Sequence, residues 1–147
     1  MSDRPVPVPD EVTAPFWEAA SRHELTVARC TACEARVVAP GSVCPECGTT
    51  EPAFRFDPVS GNGTLRSWAV VRQSFLPGFE VPFVLVDVEL DEQVDLRMIG
   101  RLLDGVAAID EPGLSVGTPV RVAFEDVAVD VAVPAFVLAD GTDRTRP

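Results

Sequence analysis

The sequence contains no lysine and no tyrosine, and its one histidine is His23. Nor does any apolar run reach the ~18 residues that a membrane-spanning helix needs. Each absence excludes a class of function. Without lysine, all side-chain positive charge rests on 12 arginines, set against 23 acidic residues for a net charge of −11. Nucleic-acid binding draws on clustered cations that neutralise phosphates, so this balance argues against DNA or RNA as a partner. A single histidine leaves a single candidate imidazole base. The absent apolar run argues against a membrane span, and Met1-Ser-Asp-Arg-Pro5 lacks the apolar core of a signal peptide. The expected compartment is therefore the cytoplasm.

Cysteine is also sparse, and all of it falls in one stretch. Cys30-Thr-Ala-Cys33 is followed by ten residues and then Cys44-Pro-Glu-Cys47-Gly48. A reducing cytosol disfavours two structural disulfides. A C-x-x-C redox site would use one pair and leave the other without a role. Two such pairs at this separation place four thiolates around one tetrahedral ion, the zinc-ribbon pattern. The strand-like segment Leu25–Arg29 leads into the first knuckle and Arg36–Pro40 leads away from it. Too few apolar side chains lie between 25 and 50 for a core of their own, so zinc is expected to be part of the fold. Four cysteines also close the coordination shell. No position is left for a catalytic water, and the expected zinc is structural.

Prolines at 5, 7 and 9 make residues 1–13 an expected disordered arm. Thr13 is positioned to cap a short helix with Pro15 in its first turn, and Phe16, Ala19, Ala20 and His23 fall on one face with Trp17 beside it. Residues 14–53 are thus read as helix plus zinc ribbon. Residues 54–139 contain five strand-like segments, Thr64–Gln73, Phe83–Leu90, Val94–Leu103, Pro119–Glu125 and Val127–Leu138, with one longer connection at Asp104–Thr118. The expected fold is mainly β, with a five-stranded OB-fold barrel after the ribbon; a sandwich is the rival from pattern alone. Residues 140–147 are expected to form a flexible tail.

Candidate catalytic groups outside the ribbon are weak. Gly113-Leu-Ser-Val-Gly117 matches the G-x-S-x-G elbow, but Ser115 has a proline on either side and the lone His23 is expected on a distant helix, so it reads as a turn. Asp87, Glu89, Asp91, Glu92 and Asp95 alternate around one hairpin, as a solvated edge does. The connection Gln73–Val81 is unusual for a loop because it carries Phe75, Leu76 and Phe79 around Pro77-Gly78. In an OB-fold that loop borders the ligand face, which suggests a partner or acyl-chain contact, unless the side chains fold back on the protein. Arg66, Arg72, Arg97 and Arg101 are cations on the expected strands, and strict alternation would put Arg66, Trp68 and Arg72 on one face.

The succession Phe16-Trp17-Glu18, Arg29-Cys30-x-x-Cys33, Cys44-Pro-x-Cys47-Gly48, Ser60-Gly-x-Gly-Thr64, Pro77-Gly-Phe79, Gly100-Arg-Leu102 and Gly117-x-Pro-Val-Arg-Val122 resembles the OB-fold proteins with a rubredoxin-like zinc ribbon, the acyl-CoA-associated domain of unknown function 35. The resemblance spans residues 14 to 138. It implies a helix, a ribbon and an OB-fold in a non-catalytic accessory subunit of an acyl-CoA-processing complex in lipid metabolism. The implied partner is a thiolase-like enzyme in a hetero-oligomer: a thiolase, an acyltransferase or a steroid side-chain aldolase. The partner would do the carbon–carbon chemistry while this chain helps to hold or channel the CoA thioester. Phe16, Trp17, Phe75, Leu76, Phe79, Arg66 and Arg72 are the expected partner or acyl-CoA contacts. Some relatives work with hot-dog-fold enoyl-CoA hydratases, which is one alternative; a stand-alone acyl-CoA or acyl-chain binding protein is the other. The metal site departs from the pattern at Glu34, where such knuckles commonly have glycine. A left-handed backbone there would cost about 1 kcal/mol.

Overall fold

The computed structural model describes residues 4–50, 53–110 and 113–139. The first element is helix α1 (Ala14–Ser21), which packs on strands of both halves of the molecule, β1 (Thr26–Cys30) and β8 (Val131–Leu138). Thr13 sits at the N-cap but makes no side-chain cap bond. Its hydroxyl is committed backwards: Asp10 Oδ1 accepts from the Thr13 N–H at 2.8 Å and hydroxyl at 2.9 Å, while the Asp10 N–H donates to Thr13 Oγ1 at 3.1 Å. The Thr13 N–H and hydroxyl hold the Asp10 carboxyl below its ordinary pKa. Asp10 therefore closes the turn leading into the helix, the role expected of Thr13.

At the other end, the His23 N–H bonds Ala20 O at 2.8 Å and the Glu24 N–H bonds Ala19 O at 3.0 Å. These are the two bonds of a Schellman cap, with His23 in the left-handed position (φ 61°) that glycine normally takes. The strain is offset by contacts across the molecule. His23 Nε2 lies 2.8 Å from Asp126 Oδ1 and the ring stacks on Phe124 at 5.2 Å.

The ribbon sheet has the order β2-β1-β3, with β2 at Arg36–Val37 and β3 at Phe54–Pro58. The whole of β3 pairs antiparallel with β1, from Cys30↔Phe54 to Thr26↔Pro58. The division expected between residues 53 and 54 thus cuts through the ribbon sheet, because the chain returns along β1 after the second knuckle. Within the expected arm, Arg4 is half-buried and ion-paired to Glu125 of the barrel at 3.1 Å, while Val8 is exposed. The expected tail at 140–147, like residues 1–3, falls outside the described residues.

The second sheet has the order β6-β5-β4-β7-β8, with β4 at Asn62–Val71, β5 at Phe83–Leu90, β6 at Arg97–Arg101 and β7 at Pro119–Ala128. A parallel bridge between Leu102 and Phe136, with the Leu103 N–H on Phe136 O at 2.8 Å, joins the two ends. This closure makes the sheet an OB barrel and removes the sandwich alternative. A short helix α2 (Ala107–Asp110) lies within the long connection. Alternation along β5 buries Val84, Val86, Val88 and Leu90. They share one apolar cluster with Leu65, Phe136 and the ribbon residues Leu25 and Val27, so ribbon and barrel have a common core.

Two of the strand boundaries that differ from the sequence reading have clear local causes. The third strand starts at Arg97 rather than Val94, because Asp95 turns left-handed (φ 61°) and the Leu96 N–H bonds back to Gln93 O. The last hairpin turns at Val129–Asp130, with Asp130 at φ 58°, inside what alternation presents as one strand.

Gly63 shows why the Ser60-Gly-x-Gly-Thr64 motif is glycine-bearing. A Cβ there would lie 2.5 Å from the carbonyl oxygen of Glu89 and 2.6 Å from Val88 Cγ1. Backbone atoms of a paired strand cannot give way cheaply. We expect Gly63→Ala to destabilise the barrel by about 3 kcal/mol, read as a lower urea midpoint.

Candidate metal centre and partner-facing surface

The two knuckles are built alike. The Glu34 N–H bonds Cys30 O at 2.7 Å and the Gly48 N–H bonds Cys44 O at 2.9 Å; the Cys30 N–H bonds Ala35 O and the Cys44 N–H bonds Thr49 O. Each knuckle turns through a left-handed residue, Glu34 at φ 66° and Gly48 at φ 75°. The turns aim four sulfurs at one point. Cys33 and Cys44 Sγ are 3.8 Å apart, Cys30 and Cys47 Sγ are 4.0 Å apart, and all four lie within 4.8 Å of one another. Zn–S bonds of ~2.3 Å in a tetrahedron require sulfurs about 3.8 Å apart, so the donors fit zinc in number, type and spacing. Cys30 and Cys44 are fully buried, while Cys33 and Cys47 face solvent.

The thiol environment suits a cation. Backbone N–H groups of Cys47 and Glu46 bring the Cys44 thiol down to about 7. The N–H of Ala35 pulls the Cys33 thiol the same way, but local desolvation and the three neighbouring sulfurs outweigh it and push Cys33 up to about 12. Four thiolates crowded this closely need a positive ion between them, and zinc supplies it as a structural cofactor.

Glu34 pairs with Arg29 at 3.3 Å, but Arg29 has a shorter contact with Asp57 at 2.8 Å and the Glu34 carboxylate is largely exposed. That pair contributes little. Replacing Glu34 by glycine removes the left-handed penalty, and we expect a gain of about 1 kcal/mol in thermal or urea unfolding with zinc content unchanged.

The carboxylates around the β5–β6 turn have structural partners. The Gln93 side chain accepts from the Arg36 N–H at 2.9 Å and donates to Arg36 O at 2.8 Å, extending the edge of β2 as a strand would. Glu92 Oε2 accepts from the Ser60 N–H at 2.8 Å, and Glu89 Oε2 from the Asp95 N–H at 2.7 Å. Asp87 pairs with Arg97 Nε at 2.9 Å. This turn clasps the ribbon onto the barrel, a role that the solvated-edge interpretation missed. Ser115 belongs to a turn in which its hydroxyl meets Thr118 Oγ1 at 3.1 Å, and His23 is committed to Asp126.

The expected contact residues form two groups. Phe16 and Trp17 meet edge-on at 5.0 Å and line an apolar groove of about 250 Å³ with Val38, Pro40 and Phe56, between α1 and the ribbon. On the β4–β5 loop, Phe75 and Leu76 are exposed, whereas Phe79 folds back onto Phe83 at 5.7 Å beneath the Arg4 guanidinium. Arg66 and Arg72 are both exposed. Arg66 is the extra residue of a bulge between Leu65 and Ser67, so the alternation expected to align it with Trp68 and Arg72 is broken. Arg101 is tied to Glu125. No helix among the described residues is long and apolar enough to cross a membrane.

The sequence matches two family profiles, the ChsH2 rubredoxin-like zinc ribbon domain over residues 17–53 and the ChsH2 C-terminal OB-fold domain over residues 57–125. The chain belongs to this zinc-ribbon and OB-fold family. Among solved structures, the ChsH2-family chain is similar to the Ltp2-ChsH2(DUF35) aldolase, at 29% identity and a TM-score of 0.74, over 90% of this chain and 98% of that one. A DUF35-family protein of unknown function from Sulfolobus solfataricus shares the fold at 11% identity and a TM-score of 0.53, over 87% and 88% of the two chains. Two curated relatives of this ChsH2-family chain are hydratase subunits. A probable enoyl-CoA hydratase alpha subunit of Thermomonospora curvata is 31% identical over 90% of this chain. The 3-oxo-4,17-pregnadiene-20-carboxyl-CoA hydratase alpha subunit of Mycobacterium tuberculosis is 32% identical over 78% of it. The chain spans 39% and 34% of those relatives' lengths.

Proposed function

We propose that this chain is a non-catalytic subunit of an acyl-CoA-processing enzyme, pairing with a thiolase-fold partner that carries out the carbon–carbon chemistry. The observation that carries this reading is the end-to-end likeness to a chain of the Ltp2-ChsH2 aldolase, which covers 98% of that chain. Two further features support it. The zinc shell is closed by four cysteines and offers no coordination site to a substrate. Among the described residues, Ser115 is bonded to Thr118, His23 to Asp126, Asp87 to Arg97, Glu89 to the Asp95 N–H and Glu92 to the Ser60 N–H, none of them a nucleophile–base pair.

The chain's share in catalysis is to hold the partner's active site in shape and to help retain the CoA thioester. A hydratase with a hot-dog-fold partner is the second reading, favoured by the names of the two curated relatives. Co-expression tests both. With a thiolase-fold protein of the same genome, we expect one stable complex on size exclusion. Separate elution from thiolase-fold partners, combined with co-elution with a hot-dog-fold hydratase, would replace the first reading by the second.

A further inference from the structure

The β4–β5 loop is fixed at both base and tip, yet its most apolar side chains face water. At the base, Phe79 is stacked on Phe83 at 5.7 Å, and the Arg4 guanidinium lies 4.7 Å from the centre of its ring. Arg4 in turn reaches Glu125 at 3.1 Å, and Arg101 engages the same carboxylate. At the tip, the Ser74 hydroxyl donates to Leu76 O at 3.1 Å and accepts from the Leu76 N–H at 3.3 Å, and Gly78 turns left-handed at φ 81°. This leaves Phe75 90% exposed and Leu76 57% exposed. A mobile loop would bury such side chains by collapsing onto the barrel. A propped one presents them, and a preorganised aromatic anchor loses little conformational freedom on binding.

The charge balance selects the occupant. The chain has net charge −11 and no lysine, and Arg4, Arg97 and Arg101 are already paired with its own carboxylates. A second copy would carry the same net charge of −11, whereas a partner surface rimmed by lysine and arginine would be drawn to the chain as a whole.

We infer that Phe75 and Leu76 insert into an apolar pocket of the partner enzyme whose rim is basic, and that Arg4 sets the loop for docking through Phe79. This rests on the reading of the chain as a subunit and assigns that reading its contact surface.

Calorimetric titration of the full zinc-loaded chain into its thiolase-fold partner is the test. The Phe75→Ala/Leu76→Ala variant should bind roughly thirtyfold more weakly, the loss expected for an interface hot spot. Its zinc content and urea midpoint should match wild type, because both side chains are exposed. Affinity of the wild-type chain should fall as salt is raised. Arg4→Ala should speed amide exchange across residues 73–82 and weaken binding less than the double variant does.

Unchanged affinity of the double variant, with wild type binding, overturns the docking surface and leaves the subunit reading intact. Salt-independent affinity overturns the basic rim, and unchanged exchange in Arg4→Ala overturns the prop. Self-association of wild type that the double variant abolishes reassigns the surface to a second copy. Failure of wild type to bind any thiolase-fold partner removes the thiolase-partner reading and this surface with it.

Discussion

Cys44→Ser is expected to release zinc and unfold the ribbon. Cys44 Sγ is buried and lies 3.8 Å from Cys33 Sγ, so a serine oxygen would replace a fully buried thiolate with a poorer zinc donor. Structural zinc contributes about 10–16 kcal/mol in zinc-finger peptides, as large as the whole 5–15 kcal/mol by which a domain is stable. The damage should not stop at the ribbon. Leu25, just before β1, and Val27 on it pack in the same core as Leu65, Val86 and Phe136 of the barrel. Elemental analysis should find zinc near one equivalent in wild type and near none in the variant, with loss of near-ultraviolet circular dichroism around the two tryptophans. Chelation of wild type should give the same spectrum. A variant that stays native without metal would remove zinc from the folding account.

The second large effect is expected at Phe136→Ala. Phe136 is fully buried, faces Val122 across the β7–β8 pair, and carries the bridge to Leu102 that closes the barrel. Gly100 is shaped to its ring: a Cβ there would come within 3.0 Å of two ring atoms. Truncation leaves a cavity at the seam where the sheet's two edge strands, β6 and β8, meet, at a cost of about 3–5 kcal/mol. The urea midpoint should fall with the slope unchanged, and Tm should drop by about 10 °C or more. Phe75→Ala removes the same side chain from a position 90% exposed to water and should move stability by less than about 0.5 kcal/mol. The contrast separates the phenylalanine that closes the fold from the one that points outward.

What was legible in the sequence was local. The ligand set Cys30, Cys33, Cys44 and Cys47 follows from spacing alone, since a knuckle places its own two sulfurs. The β5 alternation likewise separates Val86, Val88 and Leu90 from Asp87 and Glu89 before any partner strand is known, while Val84 lies in a continuous apolar run that assigns it no face. What escaped is long-range and polar. Gln93 looks like a turn residue, yet its amide completes the edge of β2 at Arg36, 57 positions away. His23 looks like a helix-end histidine, but it occupies a glycine position and is fastened to Asp126, 103 positions on. Arg4 sits among prolines that suggest a free arm, and nothing near it in sequence announces Glu125 or Phe79. The hairpin at Asp130 was hidden because apolar alternation runs through both strands. The candidate contacts were gathered into one set from the sequence; the fold separates Phe16 and Trp17 beside the ribbon from Phe75 and Leu76 on the loop.

The most direct test of the account is steady-state turnover of a CoA thioester by the thiolase-fold partner, titrated with this chain. The account predicts that activity rises to a plateau at a fixed molar ratio, that the same ratio co-elutes, and that the zinc-loaded chain alone turns over nothing. Turnover by the chain alone, or full partner activity with no complex formed, would contradict it.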